Sequence, residues 1–219
     1  MHAVRAIEEG DYDPILLSEF MTETGDLGKL AQMLDSMANT ILKRNNQLTL
    51  LSKVIPIGVS LSAEKDFNRL LESLVEEART FTNADAGSLY LVEDDKLRFV
   101  ISRNTSLKMH MGGTSGTPIT FVPVRMYNDD GSENRANIVS YAALTRQRIN
   151  IADAYEADGF DFSGTKAFDE NTHYRSKSFL TIPLETKEGK VMGVLQLINA
   201  TDPKTNEIVP FQDDTVLEA

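Results

Sequence analysis

The residues able to do chemistry concentrate in two stretches of this chain. The first, Gly112-Gly113-Thr114-Ser115-Gly116, has the glycine density of loops whose backbone amides cradle anions. No Lys follows at the spacing of a nucleotide phosphate loop and the Gly-x-Ser-x-Gly order is absent, so the stretch reads as an extended insertion. His110 is the sole nearby base for Ser115 as a nucleophile. The second stretch runs from Asp153 to Tyr174, where Asp153, Glu156, Asp158, Asp161, Asp169 and Glu170 place six carboxylates against Lys166. Clustered carboxylates can bind calcium and paired ones can move protons, but the spacing fits no EF-hand. Tyr155, Phe160, Phe162, Phe168 and Tyr174 interleave with them. A loop this aromatic is expected to cover something apolar, either a sheet or a bound planar ligand.

Composition narrows the chemistry further. The chain has no cysteine, which excludes disulfides, thiolate nucleophiles, cysteine-based zinc sites and thioether-linked chromophores. Its three histidines, His2, His110 and His173, show no metal-binding spacing. Lys plus Arg is 22 against 33 for Asp plus Glu, a formal charge of −11 that repels a nucleic acid backbone. The first residues lack the basic start and apolar run of a signal peptide, and no uncharged stretch approaches the ~20 residues of a membrane span. The expectation is therefore a cytoplasmic protein with neither a nucleic acid nor a membrane as partner.

These stretches need elements to hold them. Residues 1–26 read as an acidic, solvated leader. Leu27, Leu30, Leu34, Met37, Ile41, Leu48, Leu51 and Ile55 then alternate at intervals of three and four, with Arg44 in the one polar slot. A 3.5-residue interval held this long favours a coiled coil between two copies of the chain over a helix packed on its own domain. A homodimer through residues 27–55 is the expectation, within a signalling helix spanning 27–61. A second helix is expected over Leu61–Phe81, with Ser62 as its cap. Ala86–Val92 and Lys96–Ser102 read as a hairpin, Ile138–Thr145 as a short helix and Ile149–Ile151 as a short strand. Asp153–Tyr174 should carry another short helix. Ser178–Glu185 and Lys190–Asn199 read as central strands joined at Lys187-Glu188-Gly189, and Phe211–Ala219 as the start of one more helix.

This order, over residues 62–219, resembles the GAF domain family of small-molecule sensors. The phrases that carry it are Asn83-Ala84-Asp85-Ala86-Gly87-Ser88-Leu89-Tyr90-Leu91-Val92, Asn150-Ile151-Ala152-Asp153-Ala154-Tyr155, Tyr174-Arg175-Ser176-Lys177-Ser178, Pro183 and Gly193-Val194-Leu195-Gln196-Leu197-Ile198-Asn199. The glycine-rich insertion and Tyr155-Glu156-Ala157-Asp158-Gly159-Phe160-Asp161 are similar to GAF sensors that precede bacterial HD-type (HD-GYP) phosphohydrolase domains. The resemblance implies an α+β, three-layer fold, with a mostly antiparallel central sheet between helices. It also implies a ligand pocket between the sheet and a lid formed by the acidic aromatic segment, with a cyclic nucleotide as the candidate ligand. Carried over by position, the ligand-binding residues are Ser88, Ser102, Arg103, Ile151, Ala152, Asp169, Thr172, Ser176 and Gln196. Ser102 and Arg103 stand where nucleotide-binding members tend to show an aromatic residue and an acid.

Two functions follow from this reading. In the first, the chain is the non-catalytic, regulatory part of a bacterial signalling protein, and ligand closure of the lid controls a C-terminal output domain such as an HD-type phosphohydrolase. In the second, the pocket is closed and the domain serves ligand-free dimerisation or protein docking.

Overall fold

The computed structural model describes residues 66–212, together with Gln32, Asp35 and Ser36, which are helical. Apart from those three, the acidic leader and the heptad seam lie outside the described residues. The chain divides into residues 1–60 and residues 61–219, and the fold below is that of the second unit.

Helix α1 (Phe67–Thr82) owes its limits to two side-chain types. Asp66 caps it, one carboxylate oxygen accepting from Asn68 N at 2.9 Å and Arg69 N at 3.3 Å, which satisfies two of the amides a helix start leaves unpaired. This corrects the expected cap at Ser62: the helix starts at Phe67. Asn83 ends it in the left-handed region at φ 52° and returns its N–H to the last turn, a conformation that asparagine tolerates better than most residues. Leu71 and Val75, four apart and thus on one face, are the apolar side chains buried against the sheet.

That sheet has eight strands: β1 (Ala84–Glu93), β2 (Lys96–Asn104), β3 (Met109–Gly112), β4 (Val124–Arg125), β5 (Ile149–Ile151), β6 (Phe179–Glu185), β7 (Val191–Thr201) and β8 (Ile208–Val209). The order along the sheet is β3-β2-β1-β7-β6-β5, with β4 also on β2 and β8 also on β7. Every pairing is antiparallel. Asp94 and Asp95, at φ 46° and 59°, make the tight turn between β1 and β2, since two left-handed residues match the twist of a hairpin. The short strands β3, β4 and β8 are additions to the sequence reading.

Helix α1 packs on β1, β2 and β7 on one face. On the other lie helices α2 (Ile138–Thr145) and α3 (Ser163–Thr172). Asn137 caps α2 through Val139 N at 3.0 Å and Ser140 N at 3.2 Å, and its small Ala142 and Ala143 let it sit close to the sheet. The result is the expected α+β, three-layer arrangement with one apolar core per face. Leu71, Val75, Leu89, Ile101, Leu195 and Leu197 belong to the α1 side, and Tyr90, Leu97, Phe162, Phe179 and Val194 to the other. Leu89, Leu97, Ile101 and Leu197 are fully buried, each contributing roughly 1.5–3 kcal/mol of hydrophobic stabilisation. Phe211 and Gln212 are not helical; Phe211 closes the α1-side core, and the rest of the expected terminal helix lies outside the described residues.

Candidate functional site

The sheet face opposite α1 carries a row of polar side chains across its strands. Strand alternation puts Ser88 and Tyr90 of β1 on this face. Register sets Ser102 of β2 and Gln196 of β7 on either side of Ser88, and Thr181 of β6 beyond Gln196. All five are buried, with Thr181 fully so and Ser88 the most accessible at 9%. Their bonds run across the strands. The Ser88 and Ser102 hydroxyls lie 3.2 Å apart, the Tyr90 phenol donates to Gln196 Oε1 at 3.1 Å, and Gln196 Nε2 donates to Thr181 Oγ1 at 3.3 Å. Burial pushes the Tyr90 phenol well above its ordinary pKa, so it stays a neutral donor. Each group in the row has a partner, so a ligand entering here would exchange bonds rather than fill empty ones.

Over this floor stand aromatic rings from three parts of the chain. Tyr90 packs on Phe99 of β2 at 4.2 Å between centroids, Phe99 on Phe121 at 5.1 Å, and Phe121 edge-on to Phe168 of α3 at 6.1 Å. Phe121 belongs to the glycine-rich insertion, so the insertion and the lid helix meet there. Immediately after Phe168, Asp169 is 3% exposed and gathers three donors. The Tyr155 phenol, Ser176 N and the Ser176 hydroxyl all lie 2.8 Å from its carboxylate oxygens. The Tyr155 ring lies against two cations, the Arg175 guanidinium at 3.9 Å and Lys166 Nζ at 5.3 Å. Its hydrogen bond to Asp169 raises the phenol's pKa. The end of the lid is braced to the sheet through Asn199, whose Nδ2 donates to Tyr174 Oη at 3.0 Å and Arg175 O at 2.7 Å, while Oδ1 accepts from Lys177 N at 2.7 Å. Tyr174 in turn donates to Asp85 at 2.6 Å.

A mostly antiparallel sheet with helices on both faces is the fold the sequence resemblance implied. The family profile of the GAF domain matches residues 66–217. The chain belongs to the GAF domain family. GAF domains are regulatory sensor modules, not catalytic ones. Among solved structures, this GAF domain superposes on the GAF domain of an Acinetobacter phosphoenolpyruvate-protein phosphotransferase with TM-score 0.52 and 16% identity, over 76% of this chain and 83% of that one. The GAF domain of A. aeolicus nlh2, in an inactive state, gives TM-score 0.51 and 13% identity over 72% of this chain and 83% of that one. Both likenesses are of fold. Among curated relatives, the cGMP-specific 3',5'-cyclic phosphodiesterase of Drosophila melanogaster is 28% identical over 160 residues, 70% of this chain and 13% of that protein. The dual 3',5'-cyclic-AMP and -GMP phosphodiesterase 11A of Takifugu rubripes is 25% identical over 177 residues, 81% of this chain and 18% of that protein. The chain thus spans less than a fifth of the length of these relatives.

Of the residues the sequence pointed to, this GAF domain brings Ser88, Ser102 and Gln196 together on the floor and joins Asp169 to Ser176 in the lid. Ile151, half-buried, packs against the core of the same face. Thr172 turns its hydroxyl back on its own helix, to Phe168 O at 2.8 Å, and Ala152 is exposed. Arg103 is on the other side of the sheet. It neighbours Ser102 in sequence, so alternation turns it toward α1, where it bonds Glu72 at 2.9 Å. Tyr90, Thr181, Phe99 and Phe121 were missed, while Tyr155 had been noted among the aromatic residues of the lid segment. Tyr90 was legible as the residue two past Ser88, and Thr181 from counting back along the β6–β7 hairpin to the position opposite Gln196. Nothing in the sequence placed Phe121 beside Phe168.

The remaining candidates have local roles. The Ser115 hydroxyl accepts from Thr117 N at 3.2 Å within its own turn, and His110 is exposed on β3. Two of the carboxylates hold turns, Asp153 accepting from Tyr155 N at 2.9 Å and Asp161 from Ser163 N at 2.8 Å. Among the described residues no group of three His, Asp or Glu side chains converges as a metal site.

Proposed function

We propose that this chain is the sensory module of a signalling protein and binds a cyclic nucleotide between the polar row and the α3 lid. The observation that carries this is the row itself. Five hydrogen-bonding side chains buried side by side across the strands, with Gln196 presenting both amide atoms, offer a purine edge the exchangeable donors and acceptors it needs. Phe99 and Phe121 supply faces for a planar base. Two of the curated relatives are phosphodiesterases whose names specify cyclic GMP, or cyclic AMP and cyclic GMP, which supports the same ligand class. The module then acts by differential affinity, the bound form favouring a closed lid and the free form an open one. Its output would be a domain beyond this chain, such as an HD-type phosphohydrolase, in a cytoplasmic protein paired through the 27–55 seam.

One observation favours a second reading. Every group in the row already has a partner, so the face can persist closed and the domain can serve dimerisation or docking alone. Titration with cyclic GMP and cyclic AMP separates the two. Saturable binding to the wild-type chain, weakened about tenfold or more by Gln196→Leu, is expected from the loss of one or two hydrogen bonds. No binding of either nucleotide would leave the docking reading.

A further inference from the structure

The glycine-rich turn at residues 112–116 opens the insertion that carries Phe121, and its backbone is closely confined. Gly112 and Gly113 are both left-handed, at φ 75° and 60°. A Cβ at Gly112 would collide with the Val100 carbonyl, and one at Gly113 with the Glu72 carboxylate. Only glycine fits at both positions, and the turn they make closes on a side chain of helix α1. Glu72 of α1 accepts from Thr114 N at 2.6 Å, from the Thr114 hydroxyl at 2.9 Å and from Arg103 at 2.9 Å. Arg103, 5% exposed at its side chain, also donates to Met111 O at 2.5 Å and lies 3.6 Å from Glu76 of α1. The loop is closed on itself by Gly112 N to Thr117 O at 2.8 Å, and a few residues on it delivers Phe121 to the lid-side rings.

We propose that this loop is a mechanical latch that carries movement of the α3 lid around the edge of the sheet to helix α1. The two ends sit on opposite faces, and β1 and β2 lie between them. The insertion links them at the β2–β3 edge: Phe168 touches Phe121, and the same loop holds Glu72 through Thr114. Because the Glu72 contact combines charge with three donors, it transmits displacement instead of yielding to it. The regulatory sense of the latch rests on the sensor reading above, but the coupling itself is a property of the unliganded domain.

Hydrogen exchange on the whole chain tests it without ligand. Phe168→Ala should raise exchange at 113–117 and in the first half of α1 by about threefold to tenfold, the factor that losing one aromatic pair corresponds to. In a Glu72→Gln background the same change should still loosen 113–117 but no longer reach α1. Phe168→Leu, which keeps the bulk of the side chain, guards against general unfolding of α3 and should give the same pattern at smaller amplitude. An α1 that is indifferent to both Phe168 variants, or that responds equally with Glu72→Gln, would overturn the latch. Nucleotide binding with no such coupling removes the latch and leaves the sensor; coupling with no nucleotide binding does the reverse.

Discussion

Tyr90 and Tyr174 tie the two halves of the site to the sheet, one through Gln196 and the other through Asp85 and Asn199. Burial is the main cause raising both phenols above their ordinary pKa of 10.0, and the Asp85 carboxylate adds to it for Tyr174. Above that pH the unfolded chain loses phenolic protons that the folded chain keeps. The unfolded state then binds fewer protons, and stability falls as pH rises. Below pH 10 the contribution is fully present. Denaturant unfolding followed between pH 8 and 11.5 should show a decline beginning near pH 10, less steep in Tyr174→Phe. At neutral pH that variant should be about 1–2 kcal/mol less stable, because Asp85 and Asn199 lose a buried partner.

Helix α3 is short and starts without a side-chain cap, since Phe162 occupies the capping position. Its hold on the domain therefore depends on Asp169, which joins it to Tyr155 and Ser176. Asp169→Ala should cost about 3 kcal/mol, combining charged hydrogen bonds with a buried Ser176 N–H left unsatisfied, read as a lowered urea midpoint. Elements of this kind also show where the sequence was informative. Helix α2 and strand β5 were legible to the residue, because an asparagine cap and short apolar runs bounded by polar turns have local causes. The cap of α1 was not: the sequence reading took Ser62, whereas Asp66 is the residue whose carboxylate bonds the first amides. Within the site, Ser88, Gln196 and Arg103 all came by position from the family resemblance; alternation along β2 would have turned Arg103 away. The latch was illegible: the Gly112-Gly113 pair read as part of an extended insertion, and its partner, Glu72, lies 40 residues earlier on another element.

At the scale of the molecule, a sensor needs its ligand face to reach whatever it controls. Strands β1 and β7 lie at the centre of the sheet, and the proposed latch passes around its β3 edge. The proposed dimer pairs through the heptad seam at Leu27–Ile55, earlier in the chain. Leu48→Asp places a charge on that seam and should yield a monomer by native mass spectrometry while the GAF domain keeps its thermal transition. A dimeric mass would mean that the seam packs within the chain.

The central claim is that the polar row under the α3 lid receives a cyclic nucleotide. Native mass spectrometry of the purified chain, before and after addition of cyclic GMP and cyclic AMP, tests it most directly. The account predicts one nucleotide bound per GAF domain, either copurified or added, and its loss in Gln196→Leu. A chain that carries no small molecule and takes up neither nucleotide would contradict it.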